Sequence, residues 1–389
     1  MVRVKTVGLG LLALLLVAVG GFFAVAPRVV DRQMNVRRVP PPYAVSAAAE
    51  SLHRRLFVAD LHADALLWGR DLNTRADHGH VDVPRLIDGG VALQVFAAVT
   101  KTPKGINYER NTDSTDNITL LAVAQRWPMA AVQSLRARAR LMAARLRVAE
   151  AESDGRLVIV RTRADLEAFL ARRAQMPAMV AGLLATEGLH PLEGALANVD
   201  SLFADGYRMF GLTHFFDNAV AGSAHGVSRG GLTPLGRAVI ARAESLKVLI
   251  DVAHASPRTI DDVLSVATRP VMVSHTGVQA TCPGPRNLSD DQLRRIAATG
   301  GVIGIGFWDA AVCDATPAGI ARAIRHAVSI VGARHVALGS DWDGATTTPF
   351  DATGVRQMTD ALLAGGMSPD DIALVMGDNV RRVLLAHLP

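Results

Sequence analysis

The alternation of two kinds of segment limits the fold of this chain most. Eight short apolar segments rich in β-branched residues stand out: Phe57–Leu61, Val91–Val99, Met179–Ala185, Arg208–Thr213, Val248–Ala253, Pro270–Ser274, Val302–Phe307 and Val336–Ser340. Helix-patterned stretches separate most of them. Several of those stretches carry start signals. Thr233-Pro234, Ser256-Pro257, Ser289-Asp290-Asp291 and Thr316-Pro317 each put a capping hydroxyl before a Pro or Asp suited to a first helical turn. Asn117 to Ala151 reads as an inserted helical excursion between the second and third strands. Strand and helix alternating eight times predict an α/β fold, a parallel sheet closed as a (β/α)8 TIM-type barrel. A doubly wound open sheet is the rival. No glycine-rich GxGxxG turn follows the first strand, which disfavours its dinucleotide-binding form. The chain is 50% hydrophobic and 20% charged, enough apolar material for such a core.

The excess charge sits in front of the barrel. The net charge is +5, and residues 1–44 account for it: Arg3, Lys5, Arg28, Arg32, Arg37 and Arg38 stand against Asp31 alone. The rest of the chain is balanced and offers no basic footprint for nucleic acid. Aromatic residues, at 5%, are too sparse for base-stacking platforms. Arg136, Arg138, Arg140, Arg145 and Arg147 read as the solvated face of one helix, with a contact to anionic lipid as the alternative. Val7 to Ala26 is a run of 20 uncharged residues, long enough to cross a bilayer core. A signal peptide cut after Ala24-Val25-Ala26 is the alternative, but Pro27 would hinder a peptidase there. The expected organisation is a short basic tail (1–6), a single N-terminal transmembrane helix (7–26), a basic and Pro-rich linker acting as an extended spacer (27–45), and the barrel domain (46–389). Basic residues flank the span on both sides, so its orientation stays open; the positive-inside rule read literally keeps the body cytoplasmic. Two cysteines, Cys282 and Cys313, exclude a disulfide scaffold and a cysteine-built zinc site.

Barrel active sites lie where the strands end, at the C-terminal mouth. The unusual polar residues gather at those positions. The first strand ends in Asp60-Leu61-His62-Ala63-Asp64, the third in Thr186-Glu187-Gly188, the fourth in Thr213-His214, the fifth in Asp251-Val252-Ala253-His254, the sixth in Ser274-His275 and the eighth in Ser340-Asp341-Trp342-Asp343. Each histidine alone is more often a hydrogen-bonded core residue than a ligand; four at different strand ends are not. Three histidines (His62, His254, His275) and two carboxylates (Asp64, Glu187) exceed what one catalytic ion can use while keeping an open position. Two ions fit better: His62 with Asp64 for one, His254 with His275 for the other, Glu187 bridging. A hydroxide between them would then form near neutral pH. Imidazole with carboxylate suits zinc, with manganese or cobalt as substitutes. A carbamylated lysine is the other known kind of bridge, for which Lys101 and Lys104 are the available residues; Glu187 needs no modification. His78, His80, His190 and His225 are weak supporting candidates, and His53, His326, His335 and His387 read as solvated. Asp251 either orients a ligand or satisfies backbone groups, and Asp343 suits a helix-capping role.

The chain resembles the membrane (renal-type) dipeptidase family of the metal-dependent amidohydrolase superfamily. The matching stretches include DLHADALLW at Asp60–Trp68, TEG at Thr186–Gly188, GLTHFFDN at Gly211–Asn218, LIDVAHAS at Leu249–Ser256, PVMVSHTGV at Pro270–Val278, LGSDWDG at Leu338–Gly344 and MGDNVRRVL at Met376–Leu384. The resemblance runs in order from about residue 50 to the C-terminus. It implies a zinc-dependent dipeptidase with His62, Asp64 and Glu187 on one zinc and Glu187, His254 and His275 on the other. It further implies that His214 meets the substrate carbonyl oxygen, Arg286 holds the substrate carboxylate, and Asp341 shuttles the proton. The expected partners are a small dipeptide-like substrate, a membrane reached through the N-terminal helix, a second copy in a homodimer, and no nucleic acid. Two departures bear on substrate. Cys282-Pro283-Gly284-Pro285 replaces a more polar, His-containing stretch, and Phe307-Trp308-Asp309-Ala310-Ala311 lacks a tyrosine that some relatives use near the carboxylate. Another two-metal hydrolase, acting on lactones, acylated amino acids or D-residue dipeptides, and a non-catalytic membrane-tethered binding protein are the alternatives.

Overall fold

The computed structural model describes Leu14 and residues 20–389. Eight parallel strands form the barrel: β1 (Val58–Ala63), β2 (Val91–Val99), β3 (Val180–Glu187), β4 (Tyr207–Gly211), β5 (Leu249–Asp251), β6 (Val271–Thr276), β7 (Ile303–Ile305) and β8 (Val336–Leu338). Each pairs with its neighbours in sequence, and β8 closes on β1 through Leu338 opposite Asp60. The eight expected segments are these eight strands. A short strand, Leu157–Ile159, was not expected; it flanks the start of β3 outside the barrel.

Period-two alternation builds two apolar layers. Leu61, Leu93, Leu183, Met209, Leu249 and Met272 belong to one cluster, while Val58, Phe96, Val180, Phe210 and Ile250 belong to the larger cluster shared with the helices. The four start signals act as read: Thr233, Ser256, Ser289 and Thr316 accept from the N–H groups of Gly236, Thr259, Gln292 and Gly319. The excursion forms three helices, Asn117–Ala124, Met129–Gln133 and Leu135–Ala151.

Three expectations need correction. Arg138 and Arg145 are not on a solvated face. Arg138 is buried and donates to the carbonyls of Thr100 and Ala131 and to Asp116, and Arg145 donates to the Leu66 carbonyl at 2.6 Å, so they staple the excursion to the barrel mouth. His53 is buried between Thr359 and the Gly89 carbonyl. The stretch 27–45 is no free spacer. The chain is helical from residue 20 to 34, and Val36–Arg37 then pairs with Thr347–Thr348. The reason is charge: the linker's arginines find acids on the barrel, Arg37 with Asp351 at 2.9 Å and Arg38 with Asp309 at 2.8 Å, and Asp31 finds Arg70 at 3.1 Å. The transmembrane helix expected over Val7–Ala26 and the tail before it lie largely outside the described residues. Among those described, no helix is long and apolar enough to cross a membrane.

Candidate active site

The seven strand-end residues converge. His62 lies within β1 and Asp64 just after it; Glu187 ends β3; His275 lies near the end of β6; His214, His254 and Asp341 each stand three residues beyond β4, β5 and β8. All seven are buried. Glu187 is the hub. Its Oε1 is 3.0 Å from His254 Nε2, 3.4 Å from His275 Nε2 and 3.4 Å from His214 Nε2, while Oε2 is 3.6 Å from His62 Nε2. His62 Nε2 in turn lies 3.5 Å from Asp64 and 4.0 Å from Asp341. One carboxylate therefore presents one oxygen to His254 and His275 and the other to His62, the arrangement expected of a bridge.

The donor set fits divalent cations. His254 and His275 face each other through Nε2 at 3.0 Å. Both nitrogens of His62, one oxygen of Asp64 and Nδ1 of His254 are buried without a hydrogen-bond partner, a cost that protein interiors avoid unless the atoms have another use. Three groupings have their ligand atoms within 4.8 Å of one another: His62 with Glu187 and His275, Glu187 with His214 and His254, and His62 with Asp64 and Asp341. Electrostatics show the crowding of negative charge: against burial, the Glu187 and Asp64 carboxylates raise the His62 imidazole well above its usual range. Burial and the Glu187 charge push Asp64 up to about 7, and burial with the same neighbouring carboxylates raises Asp341 well above the usual range. Burial works against charge on Glu187 too, but the His214 and His62 imidazoles hold it well below. His254 and His275 are held neutral by burial, with Arg286 and the other imidazoles adding to it, and neutral imidazole is the ligand form. Added positive charge at this point relieves the crowding of three carboxylates.

Supporting contacts hold the donors in place. Ser274 Oγ lies 2.9 Å from Nδ1 of His275. Asp60 accepts from Gln94 Nε2 and from the N–H and hydroxyl of Ser340, tying β1 to the turn that carries Asp341. Asp251 satisfies backbone, accepting from Ala253 N and Ser274 N. His254 and Asp341 both have φ of +60°, a conformation costly for a side-chain-bearing residue and concentrated at functional sites. Gly344 makes room for the second: a Cβ there would stand 2.0 Å from Asp341 Oδ1. Asp343 caps no helix; it accepts from the backbone of His80 and Val81 and pairs with Arg70. Lys101 turns away to donate to the Asp113 carbonyl, so it is no bridge.

Arg286 lies beside the cluster. It is buried, donates Nη2 to the His275 carbonyl at 2.6 Å, leaves Nε without a partner, and places its guanidinium 5.7 Å from the Trp308 ring. Two features escaped the sequence. Tyr108, from the loop after β2, accepts a hydrogen bond from Trp308 Nε1 and lines the cavity over the Glu187 cluster. Burial pushes its phenol up to about 12. A tyrosine is therefore present near the position where the β7 loop lacks one, and nothing in its loop's pattern marks it. Cys282 and Cys313 form a disulfide joining the Arg286 loop to the segment after Trp308.

This geometry belongs to a metal-dependent hydrolase on a TIM-type barrel, and the comparisons agree. The chain belongs to the membrane dipeptidase family (peptidase family M19), which it matches over residues 46–387. It is 29% identical to the dipeptidase aclJ of Aspergillus oryzae over 362 residues, covering 86% of this chain and 79% of that protein. Among solved structures, the dipeptidase AC, a metallopeptidase of the same family, superposes with a TM-score of 0.69 at 25% identity, covering 86% of this chain and 98% of that one. A metallopeptidase from Rhodobacter sphaeroides, liganded with a phosphinate mimic of L-Ala-D-Ala, gives 0.68 at 24% identity, covering 86% and 99%. The chain is thus a peptide-bond hydrolase of a metallopeptidase family.

Proposed function

We propose that the chain is a membrane-anchored, zinc-dependent dipeptidase working with two ions. The observation that carries this reading is the convergence of four imidazoles from four strand ends on the two oxygens of Glu187. His62, Asp64 and Glu187 would hold one zinc, and Glu187, His254 and His275 the other. Bound there, the ions would supply a water acidic enough to act at neutral pH and a Lewis acid for the scissile carbonyl. The chain's own residues do the rest. Glu187 keeps the two halves of the donor set in register. His214 directs an imidazole at the substrate carbonyl oxygen and the charge that grows on it. Asp341, 4.0 Å from His62 Nε2, takes a proton from the attacking water and passes it to the leaving amine. Arg286 receives the substrate's terminal carboxylate, with Trp308 and Tyr108 bounding that side of the cavity.

Metal analysis joined to a dipeptide assay tests the reading. Near two zinc per chain, with dipeptide hydrolysis lost on chelation and restored by zinc, is the expected result. Well under one zinc in active protein would end it.

For location, we propose that the uncharged run 7–26 anchors the chain, its last turn leaving the bilayer at the barrel mouth where Phe22 and Ala26 wall the cavity, with the barrel on the outer, oxidising side. The apolar run supports the anchor, and the Cys282–Cys313 bond supports the side, because such bonds persist away from the reducing cytosol. Alkylation of protein taken from its native membrane, with and without reductant, reads this directly. Two free thiols before reduction would turn the body inward.

A further inference from the structure

The helix ahead of the family domain forms part of the site. Residues 20–34 precede residue 46, where the family match begins. Even so, Phe22, Ala26, Val30 and Met34 wall the same cavity as Asp64, Glu187, His214, His254 and Asp341. The spacing of four along a helix puts these apolar residues on one face, turned toward the metal donors. Leu67, Val99, Ile106, Ile118 and Leu121 wall the cavity as well. Its volume is about 500 Å³, more than two small residues joined by a peptide bond fill and within the roughly 300–1,000 Å³ of pockets for larger ligands. The outer apolar residues are not consumed by packing: Val30 is 41% exposed, Met34 40% and Leu120 56%. The helix is fixed there by polar contacts away from that face. Asp31 is buried against Arg70 and His78, and Asn35 accepts from Ala345 N.

We propose that this helix is the outer wall of an apolar subsite. The enzyme thereby selects amide substrates with a large apolar group beside the scissile bond, whether a long aliphatic or aromatic side chain or an acyl chain. The inference rests on the hydrolase reading above and adds the substrate class. The metal donors set the reaction; the helix and the Leu120–Leu121 turn set what fits next to it.

The test uses the full zinc-loaded chain and compares kcat/KM for Ala-Ala, Leu-Leu, Phe-Leu and a series of N-acyl alanines from acetyl to decanoyl. The expected result is a rise of about tenfold or more from the smallest to the largest apolar groups. Val30→Asp and Met34→Asp should each bring that ratio close to one, and Asp31→Asn, which loosens the helix without altering the cavity wall, should lower it too. Val29→Ser, at an exposed position that does not wall the cavity, should leave it unchanged. Where an aspartate lowers expression, Val30→Gln and Met34→Gln repeat the measurement. A parent chain that favours Ala-Ala, or a ratio indifferent to the Val30 and Met34 changes, overturns the inference alone. Failure to hydrolyse any member of the panel overturns the hydrolase reading and this inference with it.

Discussion

The barrel mouth holds two buried clusters of charged side chains, and they are built on opposite terms. Around Asp343 every carboxylate faces a cation or backbone donors. Asp343 meets Arg70 at 2.5 Å and takes the N–H groups of His80 and Val81, while Arg70 reaches Asp31 at 3.1 Å. Around Glu187 three carboxylates share a space with imidazoles, no arginine or lysine among the described residues is within ion-pair distance of them, and several polar atoms have no partner. Both clusters are buried to a similar degree. The first has its opposite charges paired within the protein, although Arg70 Nε and Nη2 meet their carboxylates without hydrogen-bond geometry, and it works as structure, pinning the N-terminal helix to the barrel. The second is complete only with added positive charge. Burial alone therefore does not mark a functional site; buried like charges without a matching counter-charge do.

The largest effect expected on breaking the comparison comes from Glu187→Gln. It should remove bound metal and bring dipeptide turnover below detection, measured by metal content and assay, while the fold persists by circular dichroism. Asp341→Asn should keep the metal and lower kcat by about 10²–10⁴-fold. If its kcat is retained, Asp341 has no part in the mechanism. On the other cluster, Arg70→Ala leaves Asp31 and Asp343 buried without their shared cation. A loss of about 3–5 kcal/mol in unfolding free energy is expected, with metal content per folded chain unchanged.

A smaller effect depends on pH. Burial would raise Asp343, but Arg70 and the His80 loop hold its carboxyl well below the usual range. A carboxylate depressed in the folded state adds stability above its unfolded pKa of about 3.9, and loses it as pH falls toward the folded value. The destabilisation caused by Asp343→Asn should therefore stay constant above about pH 5 and shrink below pH 4, read from denaturation midpoints. A constant penalty down to pH 2 would show that packing, not charge, holds that cluster. Smallest is Tyr108→Phe, which removes one hydroxyl beside Trp308. A rise in KM of a few-fold, about 0.5–1.5 kcal/mol, is expected with kcat little changed.

Much of this is legible in the sequence. The barrel strands announce themselves because each is an apolar, β-branched run, and a closed parallel sheet needs such runs on both faces. The seven central residues were legible for a related reason: a histidine or acid directly after such a run has to stand at the mouth. Side chains arriving from irregular loops were not legible. Tyr108 has no periodicity to betray where its loop turns. Arg138 and Arg145 look like surface charge because a helix's polar face and its anchoring face carry the same letters until the partner carbonyls of Thr100 and Leu66 are known. The linker misled in the same way, since its arginines read as a solvated tether until Asp351 and Asp309 appear opposite them. The strand Leu157–Ile159 was hidden by brevity, although Leu157-Val158-Ile159-Val160 is an apolar run that invited the assignment.

Strand β3, which carries Glu187 at its tip, is held along one edge by seven residue pairings to β2 and along the other by β4 and the flanking strand. A segment bonded on both sides in this way should be among the last to exchange its amide protons with solvent. The hub of the buried cluster thus sits on one of the least yielding parts of the scaffold. Adaptation toward new substrates has little room there, and is left to the excursion, the disulfide-tied rim and the helix that arrives from the N-terminus.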